Sequence, residues 1–396
     1  MKLDQSHARV TTRSDIFDQP PEDVPPLSSR SWRVERSKGS VVGRPSVGNH
    51  AYLRPPRLAF GKAMASENPE PEITAKRADQ LDPDAKSFLE TLESEGVPQV
   101  ETLSVEQARA LHTDAFTPEA EPESVASVED STIGEFGKNI PVRIYTPEGD
   151  GPRPALVYFH GGGWVLGNLD THDSVARSLA NRGDCVVVSV EYRKAPENPF
   201  PAAVEDAYEA TKWTATHAEE IGANPDKLAV GGESAGGNLA AIVAQMARDK
   251  ELGAPEIDFQ LLAYPVTNHD YGTKSYSQNG SGYFLSRPLM IWFWNHYLRE
   301  DVDGSNVRAS PLLGRDLSGL PPAFVLTAGY DPLRDEGAAY ASRLSDAGVS
   351  IEHANYNGMI HDFLNMRQLD DPFPDVERAD DALDRAGEAL REAFEE

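Results

Sequence analysis

The sequence predicts an α/β chain: a mostly parallel central sheet with helices on both faces and a helical cap. Three observations predict it. From about residue 80, short apolar runs of strand length recur between amphipathic stretches of helix length. Several of those runs are continuous rather than alternating, the pattern of strands buried on both faces. And 396 residues, 39% of them hydrophobic, suffice to bury the core of one large domain or of two modest ones.

The elements follow in chain order. Asp82-Pro83 opens a helix that runs to Glu95, with an N-cap carboxylate before a proline at the first helical position. Ser104-Val105-Glu106-Gln107 has the Ser-x-x-Gln form of a capping box and starts a second, short helix. After Pro118 the chain turns strand-rich, with Ile140–Tyr145 alternating in burial preference. Strands are then expected at Ala155–Phe159, Cys185–Val190, Leu228–Val230, Phe259–Ala263, Ala323–Thr327 and Ser350–Tyr356. Helices intervene at His172–Asn181, Ala202–Ala218, Ala235–Arg248 and Asp335–Ala347, and an amphipathic helix from Asp375 to Phe394 ends the pattern. Residues 272–305 break the rhythm. Their core, Leu289–Leu298, carries Trp292, Phe293, Trp294 and Tyr297, rings that pack a helix onto the domain. Its place between two core strands also suits a lid.

Charge divides the chain. It holds 64 Asp and Glu against 37 Lys and Arg, a formal charge of −27, and among the cations 26 are Arg and 11 Lys. Residues 1–63 carry +5 and residues 64–396 carry −32. The first segment, rich in Pro, Ser and Arg without periodicity, reads as disordered and outside the fold, or as an upstream extension of a chain that starts at Met64. Residues 64–120 then supply N-terminal helices, and residues 121–396 form the main α/β domain, interrupted by an insertion at about 272–305. So acidic a surface repels phosphate backbones and argues against nucleic acid. Few lysines and many carboxylates are also the composition of a protein working in concentrated salt. No apolar run reaches 18 residues, so no membrane span is expected. Met1–Phe17 lacks the apolar core of a secretory signal, which points to the cytoplasm. The single cysteine, Cys185, excludes an internal disulfide and a cysteine metal site.

Two motifs carry chemistry. Gly232-Glu233-Ser234-Ala235-Gly236-Gly237 lies between an expected strand and an expected helix. There a G-x-S-x-G turn is so tight that glycines must flank the serine, and it lifts the hydroxyl above the sheet edge. His160-Gly161-Gly162-Gly163-Trp164 follows another strand, and its bare glycines bring backbone N–H groups close to a substrate oxygen. His160 is expected to fix that loop rather than act as a base. A dinucleotide or phosphate-loop reading fails, because neither G-x-G-x-x-G nor G-K-[ST] occurs here. Of the ten histidines, His361 is placed best, in a loop after the last strand; Asp331 follows the strand before it. Ser234, Asp331 and His361 thus lie, in that order, beyond the ends of parallel strands.

On these residues the chain resembles the hormone-sensitive-lipase family of α/β-hydrolases, esterases with an HGGG loop and a GDSAGG-type elbow, over roughly residues 80–396. Further stretches that carry the likeness are Glu191–Glu197, Phe200–Asp206 and Asp331–Glu336. The resemblance implies an α/β-hydrolase fold in which residues 121–396 are the catalytic domain and the N-terminal helices of 64–120 and the insertion at about 272–305 contribute to the cap. It implies Ser234 as nucleophile, His361 as base and Asp331 as acid. Gly162, Gly163 and Ala235 would be the oxyanion donors, and Gly161, Gly232, Glu233 and Gly236 would support them. It implies a serine carboxylesterase acting on short- to medium-chain acyl esters through an acyl-enzyme, without metal or organic cofactor; a homo-oligomer is compatible with it. An amidase or peptidase on the same fold, and a non-catalytic ligand receptor, are the rival readings. Three residues depart from the family pattern. Glu233 replaces the usual Asp, Lys194 stands where Leu is usual and is expected to be a surface change, and Asp362 replaces a common Gly. A carboxylate at 362 would raise the His361 pKa or compete for its orientation.

Overall fold

The computed structural model describes residues 73–134, 139–250 and 253–395. Residues 1–63 and Met64, on which the disorder and start-site expectations fall, lie outside them. The helices are α1 (Pro83–Ser94), α2 (Val105–Phe116), α3 (Asp173–Gly183), α4 (Ala202–Thr216), α5 (Ala235–Arg248), α6 (Lys274–Asn279), α7 (Arg287–Tyr297), α8 (Arg334–Asp346) and α9 (Glu377–Glu395). The strands are β1 (Ser127–Ile133), β2 (Ile140–Thr146), β3 (Arg153–Phe159), β4 (Val186–Val190), β5 (Ala223–Glu233), β6 (Phe259–Ala263), β7 (Ala323–Tyr330) and β8 (Ile351–Ile360).

These strands form one sheet in the order β1-β2-β4-β3-β5-β6-β7-β8. The first two pairings are antiparallel and the rest parallel. Strand geometry sends successive side chains to opposite faces, and both faces here are apolar. Val157 and Phe159 of β3 join Val188 and Val230 in one core, packed by Ala207 of α4, Leu239 of α5 and Leu344 of α8. Leu156 and Tyr158 join Val187 and Ala229 in the other, packed by Leu179 of α3 and Leu383 of α9. Every residue of β4, β6 and β7 is buried, which is why these strands read as continuous apolar runs.

Several strands outrun their expected ends. β5 reaches Glu233, paired with Ala263, and β7 reaches Tyr330, paired with Ile360. Their last residues include Gly231, Gly232 and Gly329, which carry no hydrophobic signal although the backbone ladder continues through them. The added length carries each strand to the residue before Ser234, Asp331 and His361.

The N-terminal segment and the insertion meet beside those ends. Ala78 and Asp82 N–H donate to the carbonyls of Asn357 and Gly358 on β8, at 2.8 and 2.9 Å. Arg77 lies over the ring of Tyr330, 4.1 Å from its centroid, and donates to the Asn279 side chain and the Tyr283 hydroxyl. Ser104 and Gln107 form the expected capping box of α2. On α7, Phe293, Trp294 and Tyr297 are buried, with Tyr297 stacked 4.1 Å from Trp164, whereas Ile291 is exposed. The aromatic rings therefore do pack this helix onto the domain.

Candidate active site

Ser234 sits in the turn between β5 and α5 with φ 54° and ψ −117°. A non-glycine residue there carries about 1–3 kcal/mol of backbone strain. Three hydrogen bonds hold it: Ser234 N–H donates to Ala263, and Asn238 and Val266 N–H donate to the Ser234 carbonyl, at 2.9–3.1 Å. At about 1 kcal/mol each these match the strain. The flanking glycines are steric necessities. A Cβ on Gly236 would lie 1.8 Å from the carbonyl oxygen of Phe159, and one on Gly232 would lie 2.4 Å from the same atom. Helix α5 thus starts directly against the end of β3.

The three expected residues come together. His361 Nδ1 lies 2.7 Å from Asp331 Oδ2, and His361 Nε2 lies 2.9 Å from Ser234 Oγ. A carboxylate only accepts, so Nδ1–H donates to Asp331 and Nε2 is left to accept the Ser234 proton. All three are buried, Asp331 fully and Ser234 and His361 at 7% and 4% exposure. The other oxygen of Asp331 accepts the Leu333 N–H at 2.8 Å. Asn279 of α6 donates to the Gly329 and Asp331 carbonyls, bracing the loop after β7 from the insertion side.

The glycine loop lies beside this chain. Gly162 and Gly163 have φ of 100° and 59°, and Val165 and Leu166 N–H both donate to the Gly162 carbonyl. Among the described residues the N–H groups of Gly162, Gly163 and Ala235 donate to no protein acceptor. They are the type of donor that an oxyanion takes up. His160 is buried; its Nδ1 is 2.7 Å from the Gly161 carbonyl and its ring stacks on Tyr192 at 4.4 Å. The Tyr192 hydroxyl donates to the His160 carbonyl at 2.8 Å. Burial pushes its imidazole well below the ordinary pKa. This is a loop anchor.

The two departures beside Ser234 meet each other. Glu233 is fully buried and accepts Gly161 N–H at 2.8 Å, His172 Nε2 at 2.7 Å and the Tyr264 hydroxyl at 3.1 Å. Burial favours its neutral form, yet the adjacent His172 and the hydrogen bonds it accepts hold it below the usual carboxylate range. Asp362, in the left-handed region at φ 68°, is hydrogen-bonded to Glu233 and not to His361. Burial first, then repulsion from Glu233, pushes its pKa well above the carboxylate range. Lys194 corrects a further expectation. It is not a free surface side chain: its Nζ donates to the Gly167 carbonyl at 2.8 Å and pairs with Glu191, below the glycine loop.

The other family-like stretches brace the same loops. Arg193 forks onto the buried Asp206, Arg334 donates to the Gly329 carbonyl, and Glu336 accepts Thr267 and Asn268 N–H after β6. Of the other histidines weighed, the half-buried His112 of α2 stacks on His172 with ring centroids 6.2 Å apart, while His217 caps α4 and His353 in β8 contacts Thr327, both away from the triad. His172 and Tyr264 had no sequence signal, since each acts only through a partner far away in the chain. Cys185 is buried, with its thiol pushed up to about 12 by burial. Among the described residues no group of three or more His, Cys, Asp or Glu is placed to hold a metal ion. Nor is any described helix long and apolar enough to cross a membrane.

Residues 156–365 match the family described as alpha/beta hydrolase fold. The chain is 48% identical over 252 residues to the carboxylic ester hydrolase LipN of Mycobacterium tuberculosis, covering 63% of this chain and 67% of that one. It is 42% identical over 329 residues to the carboxylesterase NlhH of the same organism, covering 82% and 99%. The solved structure of a thermostable esterase from Pseudomonas putida superposes with a TM-score of 0.74 at 40% identity, over 80% of this chain and 98% of that one.

Proposed function

This chain belongs to the alpha/beta hydrolase fold family and is a carboxylic ester hydrolase, and from that premise we propose that Ser234 is its nucleophile, His361 its general base and Asp331 the acid that orients the base. The observation that carries the assignment is the unbroken hydrogen-bonded chain from Asp331 through His361 to Ser234, 2.7 and 2.9 Å long at its two links.

The reaction is acyl transfer. Ser234 Oγ attacks the ester carbonyl while His361 Nε2 takes its proton, and Asp331 stabilises the resulting imidazolium. Gly162, Gly163 and Ala235 N–H meet the oxyanion; loss of one such donor costs about 3–4 kcal/mol. The tetrahedral adduct collapses, His361 returns the proton to the departing alcohol, and Ser234 keeps the acyl group. Water then repeats the sequence and releases the acid. No step needs a metal or an organic cofactor. In this reading α1, α2 and the insertion at 272–305 form the cap over the acyl site, and the substrate is a short- to medium-chain acyl ester met in the cytoplasm.

The test is hydrolysis of p-nitrophenyl esters by folded variants. Ser234→Ala is expected to abolish turnover and fluorophosphonate labelling. Asp331→Asn, which leaves the imidazole in the wrong tautomer, should lower kcat by roughly 10⁴-fold. Comparable activity in Ser234→Ala would overturn the assignment.

A further inference from the structure

Beside the triad lies a buried acid pair, Glu233 and Asp362. Glu233 is bonded to three separate parts of the molecule. It holds the N–H of Gly161, the first glycine of the loop whose next two residues face the oxyanion. It pairs with His172 at the start of α3. It also accepts the hydroxyl of Tyr264, whose ring stands edge-on to His361 with centroids 4.8 Å apart. Asp362 adds a fourth tie, from the residue that follows the base. The nucleophile turn, the glycine loop and the base loop therefore converge on one carboxylate.

We propose that Glu233 and Asp362 are a positioning unit, a carboxylate and a carboxylic acid sharing one proton, which fixes His361 and the Gly162–Gly163 loop relative to Ser234. The inference rests on the triad reading above. Two carboxylates that both ionised in such burial would repel at close range, so one stays protonated and donates. The groups facing the pair favour that division. His172 stands against Glu233, with His112 behind it on α2 and His160 on the glycine loop. Tyr158 of β3, Tyr192 and Tyr264 contribute neutral phenols, and Asp331 adds a negative charge that keeps the proton on Asp362.

The backbone at 362 permits a discriminating experiment. At φ 68° glycine is less strained than aspartate, so a residue that served only the turn could become Gly without loss. In the full chain Asp362→Gly is expected to keep its melting temperature yet lose about tenfold in kcat at similar KM, the size of one charge-assisted hydrogen bond. Asp362→Asn can donate to Glu233 but cannot ionise. It should recover most of that loss and should also lack the limb on which wild-type kcat falls as pH rises through the Asp362 ionisation. Unchanged kcat and pH profile in Asp362→Gly would overturn the proposal, as would an alkaline limb retained by Asp362→Asn. Ser234→Ala separates the two levels: if it still hydrolyses ester, the triad reading fails whatever the Asp362 variants do.

Discussion

The ring of Phe293 on α7 lies flat against Gly163, so close that a Cβ on the glycine would fall 2.2 Å from the ring's Cδ1. The insertion helix and the glycine loop are thus in direct contact, and the glycine is required twice, for its φ of 59° and for the space its hydrogen leaves.

Gly163→Ala should therefore displace either the loop or the ring and lower kcat by about 10²–10³-fold, the cost of one misplaced oxyanion donor. Phe293→Ala made in the same chain removes the clash while leaving the strained φ, so the double variant should recover part of the loss. Steady-state hydrolysis of p-nitrophenyl butyrate by the two single variants and the double one reads this directly. A double variant as inactive as Gly163→Ala would show that the ring is not the obstacle.

Acid stability should depend on His112. Its ring lies between Phe116 and His172, and burial, then the neighbouring His172, lowers its pKa from 6.5 to about 3. Between those values the unfolded chain binds a proton that the folded chain does not. The contribution is therefore complete above pH 6.5 and is lost as pH falls toward 3; a shift of this size is linked to about 4–5 kcal/mol. Urea denaturation of His112→Leu from pH 7 to 4 should show a flatter decline than wild type. His160, lowered for the same reason, preserves part of the slope.

The charge imbalance predicts a response to salt. The excess of carboxylates repels itself at low ionic strength, and screening relieves that repulsion. Raising KCl from roughly 0.1 to 2 M should increase Tm by several degrees. A Tm that stays flat or falls in scanning calorimetry would remove the saline reading.

Much of the site was legible because its chemistry needs particular residues in particular local turns. Gly232 and Gly236 flank Ser234 since no side chain fits between α5 and the end of β3. Asp331 and His361 each follow a run apolar enough to read as a strand. Lys194 and Asp362 were harder to read, because a charged residue in a loop carries no sign of what it will face. Only the folded chain brings Lys194 to the Gly167 carbonyl and turns Asp362 toward Glu233.

The sequence by itself determined the sheet, its two apolar faces and the order of Ser234, Asp331 and His361 after their strands, because side-chain period and turn chemistry are local properties of the chain. The tertiary structure alone decided which buried polar groups meet. His172, Tyr264 and Asp362 reach Glu233 from different elements, and in that buried space the hydrogen bonds among them satisfy one another's polar groups in place of water.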